Sequence, residues 1–315
     1  MTTRPPDVSV LLATRDRADL LEATLSHLAT QQLAGRTWEV IVADNGSSDR
    51  TPDVLRAAAA RLPLVSVREP APGKNRALNR ALDLAAGRLW LFTDDDVVPQ
   101  SNWLAQMAAA ADRWPGHAIF AGRIEPLFPP ETPDWLRQHP FTEAAYARFD
   151  LPIPEGPITK LPYGPNFLVR AEAMAGWRYN ESIGPSGADY ISGSETELLL
   201  RLTQQGRRIV YVPDASVGHV VRPDQLSVDW LFGRSYRLGR CLVEFGFVQR
   251  DDWPRVGGVP VRVLARLAKE WVYSFRGTFG GPRQRFLGGL DYHFIRGCVR
   301  QHRLRARRSA PPTSS

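Results

Sequence analysis

Three consecutive carboxylates, Asp94-Asp95-Asp96, follow the apolar run LWLFT at 89–93. Adjacent carboxylates repel one another, so a fold that presents them together offsets their charge with a cation, and hard oxygen ligands suit Mg²⁺ or Mn²⁺. Such an ion binds through one or two carboxylates and completes its shell with water and phosphate. The alternative is a solvated acidic turn that caps the next helix through Ser101. Lys74, Asn75 and Arg76 open a second candidate site, at the head of a helix expected over 75–86. Cations and free backbone N–H groups gather there, which suits phosphate, although many ordinary surface helices also begin with polar residues.

Two glutamates stand in the run GSETELLLRL, and helical geometry separates them. Glu195 lies three, four and seven residues before Leu198, Leu199 and Leu202, so it shares their inward stripe in the first turn. Glu197 points the other way, toward Arg201 at i+4, as a solvent-exposed pair. An acid at that point can also be a simple electrostatic cap of the helix start. His219, in PDASVGHVV, is either a structural histidine or a ligand.

The elements that must position these groups alternate. VSVLLAT reads as a buried strand, LLEATLSHLATQQ as a helix and EVIVAD as a strand. A helix near 52–61, a strand VSVRE, the helix at 75–86 and the strand LWLFT follow. Strand and helix taking turns predicts an α/β protein with a Rossmann-like, mostly parallel sheet sandwiched by helices. Ligands in such sheets bind beyond the carboxyl ends of the strands, where Thr14, Asp44 and the Asp triplet fall. No G-x-G-x-x-G follows the first strand and no P-loop occurs, which argues against dinucleotide and ATPase readings. Pro-rich sequence over 126–165 reads as an irregular surface connection. The helix of SETELLLRLTQQG, closed by Gly206, and a strand RIVYV come next.

The ordered set VSVLLATRDR, EVIVADNGSSD, GKNRALNRAL, LWLFTDDDVVP, GSETELLLRL and RIVYVPDASVGHVV resembles the family 2 glycosyltransferases, which have the A-type glycosyltransferase fold. The resemblance spans roughly residues 8–222. It implies an inverting, metal-dependent enzyme that moves a hexose or derivative from a nucleoside-diphosphate sugar, expected to be UDP-linked, to a glycan or lipid-linked acceptor hydroxyl. By resemblance Ala13 and Thr14 line the nucleotide and Asp44 meets the base, with an Asx turn to Gly46 and Ser47 as the alternative. Lys74, Arg76 and Asn79 belong to the phosphate-facing helix, where Leu78 replaces a second arginine. Asp94 and Asp95 face ribose and sugar, Asp96 holds Mg²⁺ or Mn²⁺ in the DxD position, and His219 completes the metal site or touches the diphosphate. The resemblance implies a carboxylate base at the head of this helix, where relatives commonly show Glu-Asp with the Asp as base; this sequence departs from that pattern, and the inward spacing assigns the base to Glu195 and a structural role to Glu197. It leaves two other functions open: a nucleotide-sugar-binding protein without catalysis, and a basic membrane- or RNA-binding scaffold.

The chain of 315 residues has 43% hydrophobic and 23% charged residues, in the range of folded soluble proteins. Its formal charge of +7 points to an anionic partner. Residues 1–221 hold 22 basic and 26 acidic residues, a net −4, whereas the rest holds 18 and 7, a net +11. The expected organisation is a catalytic domain over 1–221, a basic amphipathic helical extension over 222–308 and a disordered tail over 309–315. In the extension, Val261, Leu264, Ala268, Trp271, Val272 and Phe275 form one predicted stripe, opposite Arg262, Arg266 and Lys269. Leu231, Leu238, Leu242 and Phe245 lie beside Arg234, Arg237 and Arg240. Such helices suit an anionic membrane surface, or they pack on the catalytic domain. No nucleic-acid module is recognisable. Without a signal sequence or apolar span, and with only Cys241 and Cys298, the expected location is cytoplasmic and peripheral on the inner face of the plasma membrane.

Overall fold

Seven apolar or small residues in succession, rich in valine and leucine, leave no face for water, and VSVLLAT accordingly forms a fully buried strand β1 (Val8–Thr14). The computed structural model describes residues 4–33, 35–186, 189–247 and 253–309. Helix α1 (Ala18–Leu28) buries Leu21, Leu25 and Leu28 at helical spacing. The chain continues through β2 (Trp38–Asp44), α2 (Thr51–Ala59), β3 (Leu64–Arg68), α3 (Lys74–Leu82) and β4 (Leu89–Phe92). Next come β5 (Val97–Pro99), α4 (Trp103–Arg113) and β6 (Ile119–Leu127). The proline-rich stretch is less irregular than expected. Its first residues finish β6, and the remainder carries short helices α5 (Asp134–Arg137) and α6 (Phe141–Tyr146) and a strand β7 (Gly156–Ile158). Strand β8 (Phe167–Arg170), helix α7 (Ser194–Gln204) and strand β9 (Ile209–Val220) follow.

The sheet order is β3-β2-β1-β4-β8-β6-β9-β5, with β7 also paired to β9. From β3 to β4 every pairing is parallel, as the alternation predicts. Beyond β4 the sheet is mixed: β8 runs antiparallel to β4 and β6, β6 and β9 are parallel, and β5 runs antiparallel to β9. Strand β9 extends well past RIVYV, with a bulge opposite Gly122 and Arg123, and that extension matters for function. Its antiparallel register with β5 sets His219 opposite Val97, the residue after the Asp triplet.

Contacts divide the described residues into two units. One comprises those within Met1–Leu127, Tyr146–Asp189 and Gly193–Val220, and the other those within Phe128–Ala145, Tyr190–Ser192 and Val221–Ser315. In the first, fully buried Asn166 is a polar staple in an apolar core. Its Nδ2 donates to the carbonyl oxygens of Arg123 and Ala215, both at 2.8 Å, and its Oδ1 accepts from Trp103 Nε1 at 2.8 Å.

The second unit is built on α8 (Val228–Glu244), α9 (Val261–Gly277) and α10 (Pro282–Ser309). Gly239 and Gly297 allow α8 and α10 to approach closely: an added Cβ would lie 2.1 Å from the Phe294 carbonyl oxygen or 2.0 Å from that of Tyr236. Phe286 is fully buried among the rings of Trp135, His139 and Phe141.

Three expectations for this region change. Arg240 is buried rather than solvated, and its Nε donates to Gln301 Oε1 at 3.0 Å. The stripe expected on α9 is split, because Leu264 packs inward with Val263 and Leu267 whereas Trp271, Val272 and Phe275 are exposed. Ser309, assigned to the tail, is the last residue of α10, and the rest of that tail lies outside the described residues.

Replacing Asn166 by alanine leaves an indole N–H and two carbonyls without their partner. Asn166→Ala should therefore lower the unfolding free energy by about 3 kcal/mol, measured by urea denaturation.

Candidate active site

The carboxyl ends of β1, β2 and β4 converge with the heads of α3 and α7 and the far end of β9. Thr14, the last residue of β1, donates its hydroxyl to Asp95 Oδ2 at 2.7 Å. Arg17, three residues on, donates Nη1 to Asp95 Oδ1 at 2.8 Å and to Asp96 Oδ2 at 3.2 Å. The Thr24 hydroxyl fixes the backbone beneath, 3.0 Å from the Asp95 carbonyl oxygen and accepting the Val97 N–H at 3.1 Å. Asp95 and Asp96 are only 3% and 4% exposed, which excludes a solvated turn, and α4 is capped at Asn102 without a side-chain bond rather than through Ser101.

The three acids meet different partners. Burial raises the pKa of Asp95 above the ordinary carboxylate range, opposed by Arg17 and reinforced by its acidic neighbours. Burial works in the same direction on Asp96, but His219 first, then Arg17 and Lys74, outweigh it and hold that carboxyl well below its usual range. His219 Nδ1 lies 2.8 Å from the Tyr146 carbonyl oxygen, to which its N–H donates, and this aims Nε2 at Asp96 Oδ1, 3.3 Å away. Burial lowers the imidazole pKa, yet the Asp96 charge and hydrogen bond more than reverse that and raise it. Asp94 meets Lys74 Nζ at 2.7 Å, and the same ammonium lies 3.1 Å from Glu195 Oε1.

Single ligand atoms of Asp94, Asp96 and His219 lie within 4.8 Å of one another. Two carboxylate oxygens and one imidazole nitrogen can hold a divalent ion such as Mn²⁺ or Mg²⁺. Asp95, by contrast, is tied back to the end of β1.

The glutamates of α7 divide as their spacing predicts. Glu195 faces Lys74, and Glu197 pairs with Arg201 at 2.7 Å. That second pair is half-buried rather than exposed, since Arg201 also lies over the Trp177 ring and bonds the Arg178 carbonyl. Ala13 is buried at the end of β1, and Asp44 forms the Asx turn, accepting the Ser47 N–H on Oδ1 at 2.8 Å. Arg76 and Asn79 are engaged elsewhere on α3. Arg76 pairs with Glu181, while Asn79 bonds the backbone of Tyr179 in both directions and also Glu181.

Sequence reasoning passed over three residues here. Arg17 had a signal, the basic run TRDR closing the first strand. Gly164, which lies against Glu195, and Tyr179 had none. Tyr179 is buried, its hydroxyl has no hydrogen-bond partner among the described residues, and burial, then Glu195 and Asp94, push its pKa well above the ordinary value.

Residues 9–177 match the model of glycosyl transferase family 2. The succinoglycan biosynthesis protein ExoM of Rhizobium meliloti (strain 1021) is 28% identical over 255 residues, covering 78% of each chain. Glycosyltransferase AglE of Haloferax volcanii is 23% identical, over 84% of this chain and 82% of that one. Among solved structures, the mannosyltransferase PcManGT of Pyrobaculum calidifontis, in complex with GDP-Man and Mn²⁺, superposes with a TM-score of 0.61 at 19% identity, covering 95% of this chain and 88% of that one. S. aureus TarS 1-349 in complex with UDP-GlcNAc gives 0.56 at 16% identity, covering 94% and 92%. The fold is thus that of the A-type glycosyltransferases.

Calorimetric titration with Mn²⁺ should show affinity reduced about ten-fold or more in Asp96→Asn and His219→Ala, but nearly native in Asp95→Asn. A metal ligand must be deprotonated, and Asp96 raises the His219 pKa. Binding should therefore weaken as pH falls through that raised value, and His219→Ala should flatten the dependence.

Proposed function

Because the chain belongs to glycosyl transferase family 2, we propose that it transfers a hexose or hexose derivative, with inversion, from a nucleoside-diphosphate sugar to a hydroxyl of a glycan or lipid-linked acceptor in polysaccharide or cell-envelope assembly. The observation that carries this reading is the single ammonium of Lys74 in contact with both Asp94 and Glu195. It sets the acids suited to the donor and the acid suited to the acceptor within one side chain's span.

Glu195 takes the proton from the acceptor hydroxyl as its oxygen attacks the anomeric carbon and the nucleoside diphosphate departs. Lys74, held at the head of α3 beside Asp94, offers its ammonium to that departing charge. Asp94, Asp96 and His219 would hold a divalent ion, which would supply positive charge to the diphosphate. Tyr146 supports that role by fixing the tautomer of His219. Ala13, Thr14 and Asp44 border the nucleotide, with uracil as the base expected at Asp44. Arg76 and Asn79 contribute by holding residues 179–181 rather than by direct phosphate contact. The Mn²⁺ and GDP-Man of the mannosyltransferase, the UDP-GlcNAc of TarS and the name of ExoM support the metal, the donor class and a glycan product.

A lipid-linked acceptor accords with a membrane-facing surface on the second unit. No helix among the described residues is long and apolar enough to cross a bilayer. Helix α9 instead has two apolar faces. Val263, Leu264 and Leu267 pack on Val259, Ile295 and Val299, while Val272 and Phe275 of α9 are exposed at 42% and 55%, with Trp271 at 55% beside them and Phe279 beyond the helix end at 79%. Arg262, Lys269 and Arg276 flank the outer face, and the sole acid of α9, Glu270, is turned away with 12% side-chain exposure, 3.8 Å from Arg266. An apolar stripe with basic residues beside it and no acid of α9 turned toward it complements an anionic bilayer, each basic residue adding about 1 kcal/mol near the surface.

A panel of UDP-glucose, UDP-galactose, UDP-N-acetylglucosamine and GDP-mannose with Mn²⁺, read by nucleoside diphosphate release, should identify a donor. With it, Glu195→Gln should keep donor affinity and lose about 100-fold or more of transfer, and Asp96→Ala should lose both metal and turnover. Near-native transfer by Glu195→Gln excludes it as the base. In flotation assays the protein should rise with phosphatidylglycerol-containing vesicles and not with pure phosphatidylcholine. Trp271→Ser/Phe275→Ser should abolish flotation, and equal flotation of native and variant protein would overturn the membrane assignment.

A further inference from the structure

The carboxylate of Glu195 lies directly over the backbone of Gly164. A Cβ added there would fall 2.7 Å from Glu195 Oε1, 2.8 Å from Cδ and 3.2 Å from Cγ. Gly164 is not among the residues with a left-handed backbone, so alanine suits its conformation, and the three atoms nearest such a Cβ all belong to the glutamate. The loop beneath cannot simply retreat. Thr93 Oγ1 donates to the Pro165 carbonyl at 2.9 Å, and Asn166 is stapled on three sides to Arg123, Ala215 and Trp103. On its other side Glu195 is held by Lys74 Nζ at 3.1 Å.

We propose that Gly164 is a positioning residue matched to Glu195: its missing side chain is the space into which the longer acid extends, so residues 164 and 195 together set where the base meets the acceptor hydroxyl. This rests on Glu195 as the base. An aspartate, one methylene shorter, would draw its carboxylate back from Gly164 and would also reach less far toward Lys74 and the acceptor. Alanine at 164 does the converse, pushing the end of a flexible glutamate aside while the anchored loop stays in place. Small displacements of a reacting group are costly, since about 1 Å can remove about 100-fold of rate.

The test is a double-mutant cycle of Gly164→Ala, Glu195→Asp and both together, in full-length protein with the panel donor that the native enzyme uses. Gly164→Ala should lower kcat about 10- to 100-fold with donor affinity unchanged. In the Glu195→Asp background the same alanine should cost almost nothing, because the collision is gone. An equal loss in both backgrounds would show that Gly164 acts through the loop and not through the carboxylate, and would overturn the proposal. So would an unchanged kcat in Gly164→Ala. Failure of the base reading is separate, because it appears as transfer retained by Glu195→Gln.

Thermal unfolding of the same four proteins reads the pair without any donor. Displacing the acid from Lys74 should lower Tm by about 3 °C in Gly164→Ala, and this increment should vanish when residue 195 is aspartate. Additive shifts count against the match.

Discussion

The site depends on how three neighbouring carboxylates are kept together at the edge of a buried sheet. Two unit charges about 4 Å apart interact by ~4 kcal/mol at the effective dielectric of a protein site, so an unrelieved triplet would strain the end of β4. The chain relieves it by bringing a basic group to each acid from a different element. Arg17 comes from the turn after β1 to Asp95, Lys74 from the head of α3 to Asp94, and His219 from the far end of β9 to Asp96. Those three elements are brought to one place by the strand order: β1 lies beside β4, and β9 pairs with the β5 strand that immediately follows the triplet.

Burying such pairs gives little net stability, because desolvation consumes most of the attraction. What it provides is geometry. Asp95, anchored by Thr14 and Arg17, acts as a post that fixes the direction of its neighbours, and leaves Asp94, Asp96 and His219 as the group able to share an ion. The basic groups Lys74 and His219 differ from Arg17 in one respect. Arg17 keeps its proton and its place, with a pKa raised by Asp95 and Asp96 against the cost of burial. Lysine and imidazole, set beside carboxylates, are groups whose contacts can be exchanged for those of a ligand.

Much of this was legible from residue types alone, for physical reasons. The parallel half of the sheet announces itself as short apolar runs alternating with helical periodicity, and the acids at strand ends stand out because charge is rare beside a buried strand. The division of Glu195 from Glu197 follows from helical spacing and holds in the structure, where Glu195 meets Lys74 and Glu197 meets Arg201. What was not legible is long-range pairing. Nothing local says that β9 continues to His219 and turns antiparallel beside β5, or that Asn79, matched by motif to phosphate, instead holds Tyr179 across 100 residues. Gly164 was invisible for the same reason: its meaning lies in the side chain that occupies the space above it.

The net charge of +7 misleads in the same way when taken as one number. In the first unit Asp94, Asp95, Asp96 and Glu195 gather at the site, whereas acids such as Asp19 and Asp53 are exposed. In the second, amphipathic periodicity identified α9 but could not say which apolar residues face the interior, because a helix with two apolar faces has no single stripe. Burial supplies the distinction: Leu264 goes inward, whereas Trp271 and Phe275 go outward beside Lys269 and Arg276. Arg240 makes the complementary point, since a residue counted as surface charge is buried and bonded to Gln301. The basicity that lies beside exposed apolar surface is therefore only a part of the net charge, and on α9 no acid is turned toward that surface.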